Sequence, residues 1–196
     1  MEKAIQIVKD FTGASDEQIS SNGYMENGNI PSFNFIVDQE NMTKSITISQ
    51  KGGHIVYFNS YREIEEEKLS EEEGVQIGKN FLAQKGYNNM QETYYLKQDG
   101  NIVVNYAYNQ NGVKVYPDLI KVKIALDNGE ILGMESVGYL NCHTERQIPE
   151  NIITSEKAKE NLNARIEIQS ENLAIIPTEY NTEILCWEYT GKVRRK

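Results

Sequence analysis

Apolar positions recur at two periods along this chain, and the two periods alternate. "EKAIQIVKDF" places Ala4, Ile5, Val8 and Phe11 on one helical stripe, and "EEGVQIGKNFLAQKG" repeats the arrangement with Gly74, Ile77, Gly78, Phe81 and Leu82. The second helix has explicit ends. Ser70-x-x-Glu73 forms a capping box, and Gly86 can take the left-handed conformation that stops a helix. A third helix is expected from Ser155, where "SEKAKENL" carries Ala158 and Leu162 four positions apart.

Each helix is followed by a strand with a period of two. Phe33, Phe35 and Val37 alternate in the first, Val104, Tyr106 and Tyr108 in the second, and Leu185, Trp187 and Tyr189 in the third. The spacing repeats as well: 33 positions separate Glu2 from Phe35 and Glu73 from Tyr106, and 31 separate Glu156 from Trp187. Three copies of one unit are the simplest account. In the first two copies a pair of further strands follows, "KSITIS" and "HIVYFN" across "QKGG", then "LIKVKIAL" and "EILGMESV" across the hairpin signal "DNG". Ile120, Val122, Ile124 and Leu126 share one face, with Lys121 and Lys123 on the other.

The expected architecture is α+β, with tandem units that each lay a helix across an antiparallel sheet. Residues 1–61 form unit 1, 62–69 an acidic solvated linker within "REIEEEKLSEEE", 70–142 unit 2, 143–153 a connector and 154–196 a partial unit 3. "YPD" reads as a rigid, exposed start to the strand at Leu119, because Pro117 fixes φ and lacks a donor.

Composition narrows the function. A formal net charge of −9 argues against a nucleic-acid partner, which demands clustered Lys and Arg, and against anionic membrane surfaces. No apolar run approaches the roughly 20 residues that span a bilayer. The start, "MEKAIQIVKDF", carries charges through what a signal peptide would keep apolar.

Catalytic chemistry finds little support. Cys142 and His143 are adjacent, so in an extended segment their side chains diverge. Pairing Cys142 with His54 requires contact between copies, and nothing local would lower the thiol pKa. Cys142, His143 and Cys186 lack an obvious fourth zinc ligand. No isolated carboxylate sits in an apolar run that would raise its pKa for glycoside hydrolysis. The reading is therefore a non-enzyme with no catalytic residue, metal or cofactor, and with two unbridged thiols.

The stretches "EEGVQIGKNFLAQKGY", "YYLKQDGNIVVNYAYNQNGVKVYPDLIKVKIALDNGEILGMESVGYLNCHTER" and "LAIIPTEYNTEILCWEY" resemble the C-terminal half of YpeB-type spore germination proteins, which is built from PepSY domains. "YPDLIKVK", "NGEI" and "GY" carry the likeness most specifically. The resemblance implies PepSY-like, cystatin-like units and a module that binds, stabilises or restrains a germination-specific cortex-lytic hydrolase. It places that module on the extracytoplasmic side of the inner spore membrane or in the cortex, as the soluble portion of an anchored protein. The alternative is a PepSY-type peptidase inhibitor or peptide-binding module with another extracytoplasmic partner. Tyr116 and Asp118, expected to be partly exposed, are candidates for the partner surface. His143 and Arg146 match polar positions of the family and are further candidates for the partner surface, through an inter-domain contact, with a structural hydrogen bond as the alternative. The third copy lacks its last two strands, so Leu185, Trp187 and Tyr189 are candidates for self-association into a homo-oligomer.

Overall fold

The computed structural model describes residues 1–39, 42–180 and 182–193. It starts with α1 (Glu2–Thr12) and the strands β1 (Ile19–Met25), β2 (Ser32–Gln39), β3 (Met42–Ser49) and β4 (Ile55–Ser60). The pattern repeats as α2 (Glu71–Gln84), β5 (Met90–Gln98), β6 (Asn101–Gln110), β7 (Val113–Ala125) and β8 (Ile131–Glu135). Two short helices, α3 (Val137–Cys142) and α4 (Ser155–Lys159), then lead to the hairpin of β9 (Ile166–Pro177) and β10 (Glu183–Val193).

The helix expectations hold at the predicted ends. The Ser70 hydroxyl accepts from Glu73 N–H while the Glu73 carboxylate receives Ser70 N–H at 2.8 Å. Gly86 beyond α2 takes φ 87°. Ala4 and Val8 of α1 and Gly74, Gly78 and Leu82 of α2 are buried. They face Phe35, Ile46, Val104, Tyr106, Ile120, Val122 and Ile124, all essentially inaccessible, in one core. The third helix is shorter than its pattern suggests. Thr154 caps it and it ends at Lys159, before Leu162 can extend the stripe.

Three strands escaped the periodicity. β1, β5 and the first half of β9 are exposed on most positions, so no buried face marks them. Backbone pairing alone makes them strands: β1 pairs β2, β5 pairs β6, and β9 pairs β10. Each full repeat is thus a helix followed by a four-stranded meander.

The two meanders form one sheet, ordered β1-β2-β3-β4-β8-β7-β6-β5. They join edge to edge, with Tyr57 opposite Glu135, Phe58 opposite Met134 and Asn59 opposite Gly133. The acidic segment 62–69 is also less free than its composition suggests. Its glutamates are exposed, but Arg62 holds Asp127, Glu130 and Asn128 in the β7–β8 turn at 2.6–2.8 Å, and the Lys68 and Leu69 N–H groups both donate to Leu126 C=O.

β7 begins at Val113, so Pro117 lies within the strand rather than before it. Ala107 pairs with Leu119 but Tyr108 pairs with Val115, which leaves Tyr116, Pro117 and Asp118 in a bulge. A bulge tolerates proline because the missing N–H is not needed for the ladder. α3 packs onto this bulge through Gly138, where an added Cβ would lie 3.1 Å from both the Pro117 and Leu119 carbonyl oxygens. Short β8 leaves the start of β7 uncovered, and β9 fills that edge in parallel: Val113, Lys114 and Val115 pair with Leu173, Ala174 and Ile175.

Candidate functional site

Bulge, connector and third hairpin converge on one polar cluster. The bulge turns Asp118 inward, correcting the expectation of an exposed residue: it is 0% exposed. A carboxylate so placed requires cationic partners. Arg146 supplies a bidentate one, Nη1 to Oδ2 and Nη2 to Oδ1, each at 2.8 Å, and His143 Nδ1 lies 2.7 Å from Oδ2.

The same guanidinium reaches the other way. Arg146 Nε and Nη2 each donate to Glu183 at the start of β10 at 2.8 Å, and Nη1 and Nη2 also donate to the Thr144 and Cys142 carbonyls. With its side chain only 9% exposed, Arg146 bridges the second meander and the third hairpin. The paired carboxylate of Glu183 holds the Arg146 pKa above its already high ordinary value, and Arg146 in turn holds Glu183 below the ordinary glutamate range. Gln110 fixes the Arg146 backbone, donating to its carbonyl at 2.6 Å and accepting from its N–H at 3.0 Å.

Aromatic rings surround His143. Tyr139 of α3 stacks on it at 4.2 Å, and Tyr108 meets it edge-on at 4.6 Å. Tyr108 also donates to Glu145 at 3.0 Å. A second polar link sits beside the parallel ladder. Tyr116 donates to Glu188 of β10, which Lys114 and Asn172 also approach, at 3.5 Å and 3.3 Å. Partial burial and the Glu188 carboxylate together push the Tyr116 hydroxyl well above its ordinary pKa.

The four residues singled out on the second unit and the connector therefore meet at one seam: Asp118, His143 and Arg146 in a single network, with half-buried Tyr116 beside it. Sequence reasoning missed Glu183, Glu188, Gln110 and Lys114. The one available signal was Lys114, a charged residue between two valines. The candidates for self-association lie on the far side of this seam and are largely occupied within the chain. Leu185 packs against the small core of Val113, Val115 and Ile175; Trp187 Nε1 donates to Ile153 C=O at 2.8 Å; and Tyr189 donates to Ser155 C=O at 2.8 Å.

A carboxylate beside an imidazole is also the orienting half of a hydrolase triad. Among the described residues, however, no hydrogen bond joins His143 to a serine, threonine or cysteine side chain. Cys142 and Cys186 are free, and burial raises the Cys186 pKa, which opposes thiolate formation. No group of His, Cys, Asp or Glu suited to a metal ion occurs among the described residues. The arrangement holds charges in place and joins two pieces of sheet.

A family model described as "YpeB sporulation, PepSY1 and PepSY2 domains" matches residues 1–149, α1 to α3 and both meanders included. The chain belongs to the YpeB family of sporulation proteins. Its relatives include the sporulation protein YpeB of Oceanobacillus iheyensis, 36% identical over 173 residues, a match that covers 88% of this chain and 38% of that protein. The protein of the same name in Bacillus subtilis is 34% identical over 148 residues, covering 74% and 33%. The chain thus spans about a third of the length of the curated YpeB relatives it matches. Among solved structures, the Bacillus megaterium YpeB C-terminal domain superposes with a TM-score of 0.88 at 25% identity, over 98% of this chain and 87% of that one. That match extends past residue 149 and so takes in the third hairpin. No helix among the described residues is long and apolar enough to cross a membrane.

Proposed function

We propose that this chain is a non-enzymatic spore germination module that binds and stabilises, or restrains, a cortex-lytic hydrolase on the extracytoplasmic side of the inner spore membrane or in the cortex. The partner surface follows the seam, with Tyr116 at its rim and the exposed connector residues Ile152 and Ile153 beside it. Tandem PepSY-like units supply the frame. The observation that supports this reading is the Arg146 junction, whose groups are all engaged within the chain in fixing the third hairpin against the second meander. Recognition by a surface that crosses two pieces of sheet needs that fixed geometry, because ordering it during binding would cost affinity.

Co-purification from spores tests the proposal. Tagged protein is expected to retain the cortex-lytic hydrolase, and Tyr116→Ala or Ile153→Asp, with circular dichroism unchanged, is expected to lose it. Retention by both folded variants removes the seam from the partner surface. Capture of a peptidase with no cortex-lytic enzyme supports the PepSY-type inhibitor reading instead.

A further inference from the structure

A depression of about 640 Å³ opens where the end of α2, the start of β5 and the β6–β7 turn meet. Its volume is in the range of small-ligand sites. Five carboxamides line it: Asn88, Asn89, Gln91, Asn109 and Asn111. Each offers two donors and an acceptor without charge. Part of the set is preorganised. Asn109 Oδ1 accepts from Gly112 N–H at 2.8 Å, its Nδ2 donates to Gln91 Oε1 at 2.6 Å, and its backbone N–H donates to Asn89 C=O at 2.7 Å. Asn89 and Asn111 hold left-handed backbone, at φ 58° and 53°, so turn geometry aims their side chains. With its Oε1 engaged, Gln91 keeps its NH₂ group as a donor.

This lining selects by chemistry. An apolar ligand would cover the Gln91 NH₂ group without giving it a partner. An anion would find Lys79 already within 3.7 Å of the Glu92 carboxylate, in a chain of net charge −9. An extended peptide pairing along β5 would meet the register break between Glu92 and Tyr94, which interrupts a regular ladder. A neutral saccharide fits. Its hydroxyls both donate and accept, acetamido groups pair with carboxamides in two directions, and Ala83 and Tyr87 offer apolar contact to the C–H face of a ring.

We propose that this depression binds a neutral, acetamido-bearing oligosaccharide, a site independent of the seam and of the hydrolase reading. The probe is the tetramer of N-acetylglucosamine, titrated into the whole chain by calorimetry and amide NMR, with cellotetraose and tetragalacturonate alongside. Saturable binding at about 0.1–1 mM is expected for the acetamido tetramer. Cellotetraose should bind several-fold more weakly, and the anionic tetramer not at all. Gln91→Ala combined with Asn111→Gly, which keeps the left-handed turn, is expected to weaken binding about tenfold or more with circular dichroism unchanged. No saturation by about 10 mM, equal affinity for cellotetraose or the anionic tetramer, or binding indifferent to the double variant overturns the proposal.

Discussion

Replacing Arg146 by alanine removes its bonds to Asp118 and to Glu183 at once and leaves the Tyr116–Glu188 link in place. Asp118, 0% exposed, then keeps the His143 imidazole as its remaining side-chain partner, and Glu183 loses its guanidinium partner. Breaking a buried pair from one side costs about 3–5 kcal/mol. His143 offsets part of that, and the link to Glu183, whose side chain is 36% exposed, is screened. About 2–4 kcal/mol is the net expectation. Docking of the hairpin rests on a three-residue parallel ladder and on Ile175 and Leu185 against Val113 and Val115, and each large buried side chain contributes about 1.5–3 kcal/mol before ordering costs. The two magnitudes are comparable, so the hairpin should loosen before the eight-stranded sheet melts. Trp187, the single tryptophan, lies on β10 and reports the hairpin alone. In Arg146→Ala its fluorescence transition in urea is expected to shift down by about 1 M or more and to precede the far-ultraviolet circular dichroism transition. Arg146→Met with Asp118→Asn removes both charges and is expected to recover much of the loss. Coincident transitions at the parental midpoint in Arg146→Ala would refute the reasoning.

The same seam should respond to pH. Glu183 has a lowered folded pKa, so its contribution is present above the ordinary glutamate value of about 4.3 and is lost as pH falls through the folded value. Tyr116 has a raised one, so its contribution is present below about 10 and is lost as pH rises through the folded value. Trp187 fluorescence should accordingly report loosening at both extremes, with the alkaline limb reduced in Tyr116→Phe. On the helix side of the sheet, Gly78→Ala gains up to about 1 kcal/mol of helix propensity but drives a methyl into the hydroxyl of Tyr106, which is fully buried and donates to Val75 C=O at 2.7 Å. Overpacking of this kind costs about 1–3 kcal/mol, so net destabilisation by thermal melting is expected, relieved when Tyr106→Phe is added. Self-association is expected to run through the edge of β10 that has no partner strand among the described residues, and not through the side chains of Leu185, Trp187 and Tyr189. Light scattering at high micromolar concentration checks this; a monomer throughout removes it.

Wherever burial is one-sided, the chain announces its own structure. α1, α2, β2 and β6, together with the Leu119–Ala125 part of β7, were legible because a helix or strand with one face in the core must repeat its apolar residues at 3.6 or 2. Ends were legible where local hydrogen bonding decides them, as at Ser70 with Glu73. β1 and β5 were not, because edge strands exposed on both faces owe their conformation to backbone partners rather than to side chains. Likewise, the joining of two repeats through β4 and β8 and the parallel addition of β9 to β7 depend on which edges remain free after the meanders form. The seam divides in the same way. Tyr116, Asp118, His143 and Arg146 stood out by type and family likeness, yet Asp118 was misjudged as exposed. Its burial becomes tolerable only when a bulge turns it inward and Arg146, 28 positions along the chain, brings both its own charge and a link to Glu183, a further 37 positions on. Local pattern determined the elements, and only the tertiary structure decided which distant charges would meet, because a buried carboxylate is stable solely where the fold delivers its partners.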